Sequence, residues 1–354
     1  MVQLNEKYGD WIFITPIIGL ELTDSVKEEF VVNRVIFVSK RKLPRIRKRL
    51  GLPVSISDLT DVISEDSQSF KQTVTNFFKS AATFAVLPYK GKPKEKFKDN
   101  IRIINEELNI LSLSQLGWSS RQFNKKIEIK TSDKKLFFRT IDINNNQKEF
   151  TYGLKVSNNP SPLILDREWV KFHSRFYFFD LIKVIQGKTD VSKRWRINLH
   201  HAATIIGQSQ NSSDITFCFL WNVIALEMLL TSEGEKISES IVNKCEYFLG
   251  WHKDWTEKKY ADKIKNIYSK RCNFVHNGDV KQIIIDDLIF TDNLIFNIIN
   301  NILRCRNKFT DFKDIDEYSK KFNAEKILNQ KSKFQFGKFE LMSKEYSEDD
   351  YNQI

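Results

Sequence analysis

The sequence predicts an α+β protein in which an antiparallel-sheet α+β domain comes first and an all-α helical bundle follows. Three observations carry that reading. Residues 11–20 and 30–39 are dense in β-branched and aromatic side chains, as strands are. Asn158-Asn-Pro-Ser-Pro162 is a breaker cluster. Beyond it the apolar residues recur at the helical period of about 3.6 instead of the strand period of about 2. The expected divisions are 1–157 for the α+β domain, 163–309 for the bundle and 310–354 for a charged C-terminal tail poor in core residues.

A chain of 354 residues is long enough for two domains with a core each. Hydrophobic residues at 41% and aromatics at 13% exclude a disordered chain. The formal net charge of +11 suggests a polyanionic partner, most often nucleic acid. Abundant Asn, Lys, Ile and Phe beside only 12 Gly and 7 Pro would also follow from an AT-rich coding bias. Cys218, Cys245, Cys272 and Cys305 lie far apart on helical patterns, without a C-x2-C pair. They read as reduced thiols, so neither a disulfide framework nor a metal site is expected. No apolar run approaches membrane-spanning length and the N-terminus has no leader pattern, so a cytoplasmic protein is expected.

In the first domain a third strand is expected over 83–89, then one amphipathic helix over 94–116 through Ile101, Ile104, Leu108 and Leu111. Strands are expected near 126–130, 136–143 and 150–156, with Asn144-Asn-Asn as a turn. The stretch 40–49 holds seven cations in ten positions: Lys40, Arg41, Lys42, Arg45, Arg47, Lys48 and Arg49. Two readings stay open for it, a solvated helix start or a patch that contacts phosphate. No aromatic is interleaved to stack on bases.

In the second domain Asp166 is placed to cap a helix running to Gly187, and Ser192 to cap the next. Ser213-Asp214 opens a helix through Leu230 that is apolar nearly all round, hence central and buried. Glu227 is a lone carboxylate inside it, and a buried charge needs a partner. Further helices are expected over 239–250, 254–277 and 284–308.

The stretch Tyr268-Ser-Lys-Arg-Cys-Asn-Phe-Val-His-Asn-Gly278 ends the helix over 254–277. At about 100° per residue, Arg271 falls inside the apolar stripe formed by Ile264, Ile267, Phe274 and Val275. A guanidinium stays charged, so on an inward face it requires an acid, an interface or a bound anion. Glu227 is the partner the sequence points to. His276 lies well round the helix from Arg271, in a last turn closed by Asn277-Gly278, and the helix dipole favours a protonated imidazole there. Imidazole is also the side chain suited to proton transfer near neutral pH. His200-His201 are neighbours about 100° apart, which does not make a metal pair. His173 and His252 read as surface or hydrogen-bonded histidines. Gly-rich phosphate loops, G-x-S-x-G and H-E-x-x-H are absent.

Arg271-x4-His276 at a helix end, with Asn-Gly after it and an upstream helix carrying Ala225-Leu-Glu227, resembles the HEPN superfamily, in particular its Apea-like branch. The resemblance spans about 165–305. It implies an endoribonuclease that needs neither metal nor cofactor and leaves 2′,3′-cyclic phosphate ends, with Arg271 and His276 catalytic and Glu227, Asn273 and Asn277 in support. It also implies RNA as substrate, a homodimer through the helical domain, and a setting in phage defence or a toxin-like role. The α+β domain would then sense a trigger or grip RNA. Many members have a polar residue directly after the Arg, where this chain has Cys272. That departure fits the alternative, a non-catalytic RNA- or protein-binding module with a HEPN-like dimerisation domain.

Overall fold

In a computed structural model of the protein, the residues described are 11–45, 76, 79–91, 93–119, 121, 126–129, 137–141, 148–152, 162–232, 234–249, 253–280 and 282–330. They form two compact units, Met1–Asn105 with Asn124–Asp166, and Glu106–Phe123 with Arg167–Ile354. An antiparallel sheet near the N-terminus is followed by helices, the α+β class the sequence predicts. The second unit also takes in 106–123, which the division after the sheet domain leaves out. Of the breaker cluster only Pro162 is described.

The first unit is built on strands β1 (Trp11–Ile18), β3 (Glu29–Val31), β4 (Ile36–Ser39), β5 (Thr83–Tyr89) and β6 (Glu128–Ile129), in the order β3-β4-β5-β1-β6. All pairings are antiparallel, with Trp11 opposite Tyr89 and Ile36 opposite Val86. Every residue of β5 is buried, as expected for the central strand. Ile36, Val38, Leu43, Ala81, Phe84 and Val86 make a core cluster, with Ile12 and Ile14 packed against it.

The apolar run 11–20 is not one strand. It breaks at Gly19, which has φ +74°, and a Cβ there would fall 2.0 Å from the Lys126 carbonyl oxygen. Past the break, β2 (Leu20–Leu22) pairs in parallel with β9 (Leu163–Leu165), a strand too short to register as a period. The run 30–39 likewise resolves into the β3–β4 hairpin. Strands β7 (Phe137–Ile141) and β8 (Lys148–Tyr152) form a separate two-stranded sheet, and the Asn144–Asn146 turn lies outside the described residues.

Helix α1 (Pro93–Leu113) supplies both units. Its second half joins the bundle because it buries Leu108, Ile110, Leu111 and Leu113. It also crosses Gly207 so closely that a Cβ there would lie 1.7 Å from the Asn109 carbonyl oxygen. The bundle continues with α2 (Arg167–Arg175), α3 (Phe178–Ile185), α4 (Lys193–Gln210), α5 (Ile215–Leu230), α6 (Ile237–Leu249), α7 (Lys253–Glu257), α8 (Tyr260–Asn277), α9 (Ile285–Arg304) and α10 (Phe312–Ile327). Ser192 and Asp214 cap α4 and α5 through the Trp195 and Phe217 amides, as their positions predict.

Four expectations are corrected. The helix over 166–187 is two helices, α2 and α3, and buried Tyr177 at the break donates its hydroxyl to the Leu113 and Leu116 carbonyls at 2.9 and 3.2 Å. The helix over 254–277 is broken ahead of Tyr260, where Lys259 takes φ +52°. Residues 312–327 are not tail but helix α10. Its Ile315 is buried, Tyr318 donates to the Tyr247 carbonyl at 3.1 Å, and Asp316 pairs with Lys244 of α6 at 2.5 Å. The charges that made this stretch look like a tail stand mostly on its outer face, and the rest of the tail, 331–354, is not described. Finally, His173 is not at the surface. It is fully buried, its ring centroid is 4.5 Å from that of Trp169 and 5.0 Å from that of Phe178, and its polar contact is with the Ser114 backbone, without a hydrogen bond of good geometry to either nitrogen. Burial drives its pKa down to about 3, against a weaker upward pull from the Ser114 backbone.

A buried polar network also ties the bundle together. Arg121 holds Asp292 of α9 through Nε at 3.0 Å and Nη2 at 2.7 Å. Asn222 of α5 and Gln210 of α4 donate to the same carboxylate at 2.8 and 3.0 Å. Arg121 also reaches the Ser209 hydroxyl and carbonyl. Such a bidentate, fully engaged pair satisfies two charges that would be costly to bury apart.

Candidate functional site

The site starts from an apolar contact between α5 and α8. Cys218, Phe219 and Val223 of α5 pack with Ile267 of α8 and Leu288 of α9, with Tyr268 against them. One turn beyond Val223 on α5 is Glu227, and one turn beyond Ile267 on α8 is Arg271. Four residues return a helical side chain to the same face, so the packing that joins Val223 and Ile267 brings the two charges together. Arg271 Nη2 donates to Glu227 Oε2 at 3.2 Å, and Oε1 lies at 3.2 Å from the same nitrogen without a hydrogen bond.

Both side chains are mostly withdrawn from solvent, 19% exposed for Arg271 and 15% for Glu227. Burial raises the Glu227 pKa, outweighing the opposing pull of the Arg271 charge and its hydrogen bond. Arg271 Nε is buried with no acceptor, so the guanidinium keeps donor capacity that Glu227 does not use.

Two neighbours complete the setting. The Arg271 Cζ lies 5.7 Å from the Tyr268 ring centroid. Burial first, then the neighbouring Cys272 and Glu227, pushes the Tyr268 hydroxyl pKa up. Tyr268 was not singled out in the sequence, although its i,i+3 spacing to Arg271 is a readable signal. Lys270 on the same helix pairs with Asp287 of α9 at 2.7 Å, which ties α8 to α9 beside the site.

His276 is exposed in the last turn of α8, and no side chain among the described residues hydrogen-bonds it. Gly278 ends the helix at φ +68° and its amide reaches the Phe274 carbonyl at 2.9 Å, the left-handed stop that Asn-Gly predicts. Asn273 is half-buried and Asn277 exposed. The apolar stripe is shorter than the helical wheel suggests. Ile264 and Ile267 are buried, Phe274 is half-buried, and Val275 is 49% exposed. The last turn and a half of α8 therefore stands clear of the core. Phe217 and Ile284 are exposed with it, and the Phe217 and Phe274 rings meet at 6.3 Å.

The cationic stretch of the first unit is partly engaged. Lys40 donates to the Lys79 carbonyl, Arg41 pairs with Asp24 and Glu28 at 2.5 and 2.6 Å, and Lys42 donates to the Lys27 carbonyl at 2.6 Å. Arg45 is exposed, and Arg47, Lys48 and Arg49 lie outside the described residues. The His200 and His201 rings are 6.0 Å apart, and burial lowers the His200 pKa.

Compared with family models, with curated proteins and with solved structures, the chain matches none. Among the described residues, no three His, Cys, Asp or Glu side chains gather as a metal-ligand set, and no helix is long and apolar enough to cross a membrane.

Proposed function

We propose that the helical unit is a HEPN-type endoribonuclease that works as a homodimer. The observation that supports this reading best is the Arg271–Glu227 pair, held at the edge of the core on the helix whose last turn presents His276 to solvent. In the proposed reaction the ribose 2′-oxygen attacks the adjacent phosphorus while the bond from phosphorus to the 5′-oxygen breaks. The products are a 2′,3′-cyclic phosphate and a 5′-hydroxyl. His276 takes the proton from the 2′-hydroxyl while water protonates the leaving 5′-oxygen, or His276 protonates the 5′-oxygen while water takes the 2′ proton. Arg271 stabilises the extra negative charge on the five-coordinate phosphorus with the donors that Glu227 leaves open. Glu227 positions the guanidinium and does not touch substrate. The net charge of +11 suits an RNA substrate, and a cytoplasmic role in phage defence or as a toxin follows from the resemblance.

A second reading rests on Cys272, which stands where many HEPN sites have a polar residue, and on Arg271 already being engaged by Glu227. In it the helical unit dimerises and binds RNA or protein without cutting. One experiment separates the two. Purified wild type and His276→Ala are incubated with total RNA in excess EDTA, and the product ends are mapped. Cleavage to 2′,3′-cyclic phosphates by wild type, slowed about 100-fold or more in His276→Ala, is expected. Intact RNA that is nonetheless bound by wild type would favour the second reading.

A further inference from the structure

We infer that the sheet unit carries a separate site, a pocket for a phosphate-bearing ligand of mononucleotide size, with the Asn100 amide as its inner hydrogen-bond donor. A cavity of about 450 Å3 lies between the end of β5 and the first turns of α1. Among the described residues, Arg34, Lys90, Lys96 and Arg102 line it, with Asp99 as the one carboxylate. Asp99 pairs with Lys96 at 3.2 Å, and cations outnumber carboxylates four to one among the described lining residues. Cations gathered in a concavity focus the field and raise the local concentration of anions.

The second observation is independent of charge. Asn100, also in the lining, is 2% exposed, and its Nδ2 has no hydrogen-bond partner. Burying an amide donor with no acceptor is costly, and native proteins rarely do it without a reason. An acceptor oxygen in the cavity would satisfy the amide after a turn of the Asn100 side chain that brings the buried Nδ2 to the cavity wall, and phosphate oxygens answer both the donor and the cations. Gly91 sits at φ +103°, and a Cβ there would come within 3.3 Å of the Lys96 side chain, which lies across it. The volume is in the usual range for small-ligand sites, about 300–1,000 Å3.

The phosphate could belong to a free nucleotide or to the terminal nucleotide of an RNA chain. The site uses none of the residues of the proposed ribonuclease reaction. The test is calorimetric titration of the full chain with AMP, GMP, CMP and UMP, with adenosine, and with a 5′-phosphorylated 2′-O-methyl oligonucleotide, which 2′-hydroxyl chemistry does not cut. We expect at least one phosphorylated probe to bind about tenfold or more tightly than adenosine, and the binding to weaken with salt. Binding of mononucleotides identifies a free ligand, and binding of the oligonucleotide alone identifies a chain end. Asn100→Leu and the double variant Lys90→Gln/Lys96→Gln are each expected to weaken binding about tenfold, with RNA cleavage unchanged. Asn100→Leu should not lower the unfolding midpoint, since it removes a donor without an acceptor. No binding by any phosphorylated probe at about 1 mM, or unchanged affinity in the double-lysine variant, overturns the inference.

Discussion

Arg271 donates to Glu227 across the α5–α8 contact at 3.2 Å, yet burial still raises the carboxylate's pKa. A carboxylate with a folded pKa above its unfolded value binds its proton more readily in the native state. Its ionisation therefore takes stability away as pH rises from the unfolded value through the folded one. Holding this carboxylate ionised therefore costs the fold some stability. Arg271→Met removes the opposing pull, so its loss should grow from acid to neutral pH and reach about 2 kcal/mol or more. Glu227→Gln should lose less. Urea unfolding of both single variants and the double should give a coupling above about 1 kcal/mol. Additive losses that do not vary with pH would show that the two side chains act independently.

Phe217, Val275 and Ile284 are 47%, 49% and 50% exposed, Val275 in the last turn of α8, Phe217 beside Phe274 of that turn and Ile284 at the start of α9. In the proposed dimer this surface is covered by the second copy. Phe217→Asp and Val275→Asp should each convert a sedimenting dimer to monomer at about micromolar concentration, with little change in monomer stability. A monomeric wild type that still cuts RNA would remove the dimer from the proposal.

His173 gives the bundle an acid-sensitive core. Its folded pKa of about 3 lies below the ordinary 6.5, so the unfolded chain takes up the proton first and stability falls as pH drops below 6.5. Between pH 6.5 and pH 5 the loss is about 2 kcal/mol. His173→Phe, among aromatic neighbours, should unfold with a pH dependence shallower by that amount. Parallel curves for wild type and variant would contradict this.

Arg121 is almost fully buried and holds Asp292 through two nitrogens. Among the described residues, Arg121→Met leaves that carboxylate with the amides of Asn222 and Gln210 as its side-chain donors. We expect a loss of about 3–5 kcal/mol by denaturant unfolding. Arg121→Met/Asp292→Leu should recover a large part of it. A single variant as stable as wild type would mean that the network does not hold the bundle together.

The strands around β5, the caps at Ser192 and Asp214, the central place of α5, the stop at Gly278 and the pairing of Glu227 with Arg271 were all legible in the sequence. Each depends on local periods, on short-range capping chemistry, or on the rule that a buried charge must find its opposite. The Arg121 network, the buried His173, the docking of α10 and the contribution of α1 to the bundle were not legible. They join residues distant in the chain, such as Arg121 with Asp292 or Lys244 with Asp316, and no local period encodes which distant surface a side chain will meet. How much of α8 is buried was decided in the same way. A helical wheel orders Ile267, Arg271 and Val275 by angle alone, and only the neighbouring helices determine where along that stripe the core ends.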